Sequence, residues 1–212
     1  MALPRVEPET ADDGDEMVTA GAVARDRAAG HDRAVFLDRD GVLNANVERD
    51  GRAVAPVRLE DFRLLPGVGD AVRRLKAAGF QVVVVTNQPD IGTGRTAREI
   101  VDAMHTELRR HVPVDDIRIC THVDADGCGC RKPRPGMLLE AAAERGIVLG
   151  RSYMVGDRWR DVGAGNTAGC TTILVGAGDG TGPGGHRPAA TVPALPEAVD
   201  LILRRERIGV TS

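Results

Sequence analysis

The chain has 212 residues, 42% of them apolar, enough to bury a sizeable core in one domain. A formal charge of −3 and a sequence pI near 6.0 provide no basic field, and only 2% of residues are aromatic, so nucleic acid and anionic membranes are disfavoured as partners. No apolar run approaches the ~18 residues of a membrane span, and the acidic N-terminus has neither a basic flank nor an apolar signal core, so a cytoplasmic protein is expected.

Residues 1–32 are acidic, rich in small residues and without apolar periodicity, which predicts a disordered or loosely attached extension before a domain over 33–212. Ala34-Val35-Phe36-Leu37 reads as a strand buried on both faces. Pro66 stands where a first helical turn tolerates proline, Val68, Ala71, Val72 and Leu75 follow at helical spacing, and Gly79 supplies a stop. The β-branched run from Gln81 to Thr86 predicts a second strand. Thr96 and Glu99 form a capping-box signature for a helix running to about Arg110. A short strand over 117–120, a Cys-rich loop, a helix between Pro135 and Gly146, a strand over 152–155, a helix over 161–168 and a strand over 171–175 complete the alternation. Residues 176–188 read as a Gly-rich loop before a last helix from about Pro196 to Arg207. Strands alternating with helices predict an α/β protein with a parallel sheet covered on both faces, whose ligands bind beyond the carboxyl ends of the strands.

The chemistry-bearing residues fall at those ends. Asp38 and Asp40 follow the first strand, Thr86 and Asn87 end the second, and Gly156-Asp157 ends the fourth. Acids after strands often only cap turns. Three carboxylates converging on one crevice, however, need a cation, and an all-oxygen shell suits Mg²⁺. A second signature, CTHVDADGCGC, sets Cys120, His122, Cys128 and Cys130 at the spacing C-x-H-x5-C-x-C. Three thiolates and an imidazole fill a closed tetrahedral Zn²⁺ shell, which would be structural; a disulfide is the competing reading. Cys170 reads as a small buried residue.

The order Asp38-Arg39-Asp40-Gly41, then Thr86-Asn87, then Arg131-Lys132-Pro133, then Gly156-Asp157 with Asp161 resembles the haloacid dehalogenase (HAD) superfamily of phosphohydrolases from about Phe36 to Val175. The resemblance implies a doubly wound, Rossmann-like sheet. It also implies that Asp38 is the nucleophile, that Asp40 is general acid and then base, and that Mg²⁺ is held by the Asp38 carboxylate, the Asp40 carbonyl and Asp157. Thr86 and Asn87 would donate to the phosphoryl group and Lys132 would neutralise its charge. Lys132 is one of two lysines among 28 basic residues, the other being Lys76 on a helix exterior.

The FLDRDG, VVVVTNQ, CRKPRPGM and YMVGD stretches resemble the zinc-clipped heptose 1,7-bisphosphate phosphatases, while the short zinc loop and Arg158 resemble the histidinol phosphate enzymes. The expected reaction is removal of the C7 phosphate of a heptose 1,7-bisphosphate by a monomer without a large cap domain; hydrolysis of histidinol phosphate or of another small sugar or polyol phosphate is the alternative. Arg131 would take the second phosphate, with Arg158 and Arg160 assisting. Pro89-Asp90 departs from the Ser-Gly usual in the heptose family; Asp90 would face an amino group or a sugar hydroxyl, or point to water. Trp159 would stack on a sugar or pack under the Gly-rich loop.

Overall fold

The protein is described from a computed structural model, over residues 32–178 and 181–209; almost all of the predicted N-terminal extension lies outside these residues. Six strands form one parallel sheet: β1 (Ala34–Leu37), β4 (Gln81–Asn87), β5 (Asp116–Cys120), β6 (Tyr153–Gly156), β7 (Thr171–Val175) and β8 (Ala190–Val192). Their order is β5-β4-β1-β6-β7-β8. The chain builds outward from β1 to one edge through β4 and β5, then returns and builds to the other through β6, β7 and β8. The reversal opens a crevice between the carboxyl ends of β4, β1 and β6.

The continuous apolar runs follow from burial on both faces. Val35, Leu37, Val82 and Val84 point into one core with α1 (Val68–Ala77), α3 (Arg98–His111) and α6 (Leu195–Gly209). Ala34, Phe36, Val83 and Val85 point into the other, closed by α4 (Gly136–Arg145) and α5 (Trp159–Ala168). β1 and the valine run of β4 therefore alternate faces with a period of two and are apolar on both.

Several local expectations are corrected. Between β1 and α1 lies a hairpin of β2 (Val47–Arg49) and β3 (Arg52–Val54). Its two-residue turn, Asp50-Gly51, has both φ angles positive, at 53° and 68°. That Asp-Gly pair was the signal, masked by strands of three residues with exposed positions. Residues Pro89–Gly92 form a short helix, α2. The Thr96 capping box does not form: α3 starts at Arg98 with Ala97 at its N-cap, and the Thr96 hydroxyl donates to the Val57 carbonyl at 2.8 Å. Pro66 lies ahead of α1, whose N-cap is Gly67. Among the described residues only the hairpin and short turns interrupt the path from β1 to α1, so there is no large cap there.

Candidate active site

Beyond Leu37 the chain turns sharply. The Asp38 amide continues the ladder by donating to the Val155 carbonyl at 2.9 Å, and the Arg39 carbonyl accepts the amides of Leu43 and Asn44 at 2.8 and 3.1 Å. Gly41, at φ +83°, closes this turn where a Cβ would stand 2.2 Å from Asp157 Oδ2. A Cβ on Gly156 would stand 2.1 Å from the Asp161 Cβ. The two glycines are therefore what lets Asp157 and Asp161 approach the end of β1.

Lys132 is the hub. Its Nζ lies 2.9 Å from Asp38 Oδ1 and 2.6 Å from Asp161 Oδ1, and donates to the Val85 carbonyl at 2.7 Å, which uses all three ammonium protons. Burial alone would lower the Lys132 pKa, but Asp161 and Asp38 reverse it and hold the amine protonated. Asp38 is pushed up to about 8, chiefly by burial and further by Asp161, Asp157 and Asp40 against the pull of Lys132. Asp157 is pushed up to about 6 by burial and by Asp161. Burial and mutual repulsion both disfavour the charged form of these acids, and a bound cation would relieve both.

Oxygens of Asp38, Asp157 and Asp161 lie within 4.8 Å of one another. An octahedral Mg²⁺ places its ligands ~2.9 Å apart along edges and ~4.2 Å across. Asp157 Oδ1 is buried with no partner among the described residues, as an unfilled ligand atom would be. This donor set fits the cation. Asp161, which the sequence showed but which was not placed among the metal-site residues, thus joins the cluster.

Asp40 points elsewhere. Its carboxylate accepts Arg39 Nε and Nη2 at 3.2 and 2.9 Å, Asn44 Nδ2 at 2.9 Å and Gln88 Nε2 at 2.6 Å. The side chain is therefore outside the acid cluster, while Asp40 remains among the residues that line the cavity. The Thr86 hydroxyl is buried and accepts Gln88 Nε2 at 2.9 Å. Asn87 clamps the loop from β5: its side-chain amide pairs with the Lys132 carbonyl and amide, each at 3.1 Å. The roles of Arg39, Asn44, Gln88 and His105 are not legible in the sequence, because the first three converge on the Asp40 carboxylate and His105 on Arg39 only once packing has buried them.

A cavity of 340 Å³ opens over Asp38, Asp40 and Lys132, rimmed by Arg49, Arg95, Arg131, Arg158 and Arg160. Two acids organise this rim. Asp124 accepts Arg131 Nε at 2.7 Å and Arg160 at 2.8 and 3.0 Å. Asp90, one of the cavity-lining residues, pairs with Arg95 at 3.0 Å and faces Arg49 at 4.0 Å. Arg131 Nη1 is buried without a partner among the described residues. Arg158 donates to the Ala53 carbonyl at 2.9 Å, tying the hairpin to the site. Trp159 is outside the cavity lining; its ring lies under Gly182, where a Cβ would sit 2.3 Å away, with the Arg160 guanidinium 5.0 Å from its centroid.

In the Cys-rich loop, Cys120 Sγ lies 3.6 Å from His122 Nδ1 and 3.7 Å from Cys128 Sγ, and Cys130 Sγ lies 3.4 Å from each of the same two atoms. These four distances match edges of a tetrahedral site with Zn²⁺ bonds of ~2.0–2.3 Å, which span ~3.4–3.8 Å, so the cluster could hold that ion. A disulfide needs ~2.05 Å, and the four cysteines are free. Cys130, the last residue of this cluster, stands two residues before Lys132. Cys170 is buried, and burial pushes its thiol up to about 12.

Two family models match the chain, one described as HAD-hydrolase-like over residues 129–198 and one as polynucleotide kinase 3 phosphatase over residues 35–163. Among curated relatives, D-glycero-beta-D-manno-heptose-1,7-bisphosphate 7-phosphatase of Yersinia pestis is 40% identical over 159 residues, covering 68% of this chain and 81% of the relative. The enzyme of the same name from Rhodopseudomonas palustris is 38% identical over 148 residues, covering 64% and 79%. Among solved structures, D,D-heptose 1,7-bisphosphate phosphatase from B. bronchiseptica complexed with magnesium and phosphate matches with a TM-score of 0.69 and 32% identity, covering 82% of this chain and 99% of that one.

Proposed function

The chain belongs to the D-glycero-beta-D-manno-heptose-1,7-bisphosphate 7-phosphatase family of HAD phosphatases, and from that membership and its site we propose that it removes the C7 phosphate of a heptose 1,7-bisphosphate. What supports this most is the joining of Asp38 to Lys132 at 2.9 Å beneath a cavity whose rim carries five arginines. One end of the substrate meets a nucleophile and the other meets cations.

Asp38 attacks phosphorus in line with the bond to the C7 oxygen. That bond breaks as Asp40, entering as the carboxylic acid, delivers its proton to the leaving oxygen. In the second half Asp40, now the carboxylate, takes a proton from water, whose oxygen attacks phosphorus and displaces the Asp38 carboxylate. Phosphate leaves and both acids return to their starting forms. Lys132 offsets charge on the phosphoryl oxygens, and the Thr86 hydroxyl and the remaining Asn87 amide proton donate to them. Asp38, the Asp40 carbonyl and Asp157, with Asp161 close by, would hold Mg²⁺, which when bound would neutralise charge and polarise the phosphoryl group. Cys120, His122, Cys128 and Cys130 would hold Zn²⁺ in a structural role.

The sugar bisphosphate is favoured over histidinol phosphate because Asp90, the acid at the rim available to an amine, is engaged by Arg95, and because Arg131 Nη1, unpartnered among the described residues, asks for an anion. Arg131 binds the second phosphate and Arg158 assists. We infer a cytoplasmic monomer; no helix among the described residues is long and apolar enough to cross a membrane.

The test is Mg²⁺-dependent phosphate release from both anomers of heptose 1,7-bisphosphate and from histidinol phosphate, with Asp38→Asn as the blank. Release of the C7 phosphate with the bisphosphate preferred is expected. Preference for histidinol phosphate overturns the substrate, and release from none of them overturns the proposal.

A further inference from the structure

Arg39 separates the two catalytic acids in sequence, yet it is completely buried and runs away from the nucleophile toward α3. Its guanidinium meets both oxygens of Asp40, with Nη2 2.9 Å from Oδ1 and 3.1 Å from Oδ2. The remaining nitrogen, Nη1, lies 3.0 Å from Nε2 of His105, a buried residue of α3. A guanidinium can only donate, so Nε2 accepts and the ring is neutral with its proton on Nδ1. Burial, reinforced by Arg39, holds the His105 pKa down to about 4, which keeps the ring an acceptor through the neutral range.

We propose that Arg39 and His105 are a positioning pair that fixes the plane of the Asp40 carboxylate for proton transfer. The inference rests on the reading of Asp40 as acid and base. A planar fork on a carboxylate fixes its orientation, which the single-point donors Asn44 and Gln88 do not. The fork is itself held only if Nη1 finds an acceptor, and His105 is that acceptor. Burial removes water as a substitute. Asp40 thus lines the cavity while Arg39 and His105 tie its carboxylate to α3, a helix that contributes no residue to the cavity lining.

A purely structural pair tying α3 to β1 would show the same contacts, so the test must separate the two roles. Loss of proton delivery slows esters whose leaving alkoxide needs a proton and spares esters whose leaving phenolate does not. We would measure kcat/KM for the primary alkyl phosphate that the wild type hydrolyses fastest and for 4-nitrophenyl phosphate. Asp40→Asn sets the scale by lowering the alkyl-to-aryl ratio. His105→Leu, which removes the acceptor, is expected to lower the ratio roughly 10-fold or more, and His105→Gln, whose Oε1 can accept from Arg39, to bring it back within about 3-fold of wild type. The ratio does not depend on the fraction of folded enzyme, and if His105→Leu is insoluble, Arg39→Lys provides the same readout by replacing the fork with a point charge. A ratio unchanged in these variants while Asp40→Asn shifts it overturns the positioning pair. A ratio unchanged in Asp40→Asn itself overturns the role of Asp40 and the pair with it.

Discussion

Lys132 Nζ sits 2.9 Å from Asp38 Oδ1 and 2.6 Å from Asp161 Oδ1, so a single buried ammonium balances two of the acids that converge on the end of β1. Removing one partner of a buried charged set leaves the others uncompensated. Lys132→Met is expected to lower stability by about 3–5 kcal/mol in urea unfolding without Mg²⁺. It is also expected to lower kcat by roughly 10²–10³, the range for one preorganised donor to the reacting group. A variant as stable as wild type would show that Asp38 and Asp161 do not depend on this lysine.

Gly41 offers a separate handle on the metal. Its φ of +83° and the 2.2 Å from its hypothetical Cβ to Asp157 Oδ2 mean that Gly41→Ala must displace either the turn or the acid. The expected outcome is a fold that survives with Mg²⁺ affinity weakened by at least roughly 10-fold, as for other changes that disturb a ligand from beside the metal. Isothermal titration with Mg²⁺ checks it, and wild-type affinity would remove Asp157 from the metal shell.

The sequence displayed the frame of this site and hid its supports, for a physical reason. Asp38, Thr86 and Asp157 end apolar strands, so the pattern that predicts the strands also predicts the crevice. Lys132 stood out because the chain otherwise uses arginine. The contacts that hold Asp40 depend on Arg39 being buried against His105, two residues brought together only by packing α3 on the sheet. The rim behaves likewise: Arg49 comes from β2, one strand of a hairpin too short to announce itself, and Asp124 from the zinc loop. Lys76, left aside as an exterior residue, pairs with Asp115 at 2.5 Å.

Asp124 holds Arg131 and Arg160 at the cavity rim, and those two arginines depress its pKa to about 2, Arg160 first. Arg131→Gln is expected to raise KM for a bisphosphate roughly 10- to 100-fold with kcat little changed, and to leave KM for the corresponding monophosphate near wild type. Asp124→Asn, which releases both arginines without removing either, is expected to produce a smaller change of the same sign. If bisphosphate and monophosphate respond alike, Arg131 does not read the second phosphate.

A Zn²⁺ ion held by Cys120, His122, Cys128 and Cys130 would outlast the catalytic cation. After brief chelation sufficient to strip Mg²⁺, elemental analysis is expected to find one zinc per chain in wild type and none in Cys128→Ser. Because Cys130 is only two residues from Lys132, losing the clip loosens the hub as well as the loop. A loss of about 4–5 kcal/mol, the range that marks removal of a structural metal, corresponds to a melting point lower by roughly 10 °C or more. Zinc retained by Cys128→Ser with an unchanged melting point would remove Cys128 from the ligand set.

His105 makes a signed prediction for stability against pH. Burial, then Arg39, lowers its folded pKa to about 4, with Asp102 and Asp40 pulling it up and Arg109 pushing it further down. In the unfolded chain a histidine titrates near ~6.5. Between these values the unfolded state binds a proton that the folded state refuses, so folding stability falls as pH falls through that window. From pH 7 to pH 5 the loss from this residue is about 2 kcal/mol. The raised acids Asp38 and Asp157 work in the opposite sense, so the quantity to read is the difference between wild type and His105→Gln, in which contributions common to both cancel. Urea unfolding at the two pH values is expected to show wild type losing about 2 kcal/mol more than the variant. Parallel losses would mean that His105 is accessible to a proton in the folded enzyme, and that the Arg39 fork is not locked by a neutral ring.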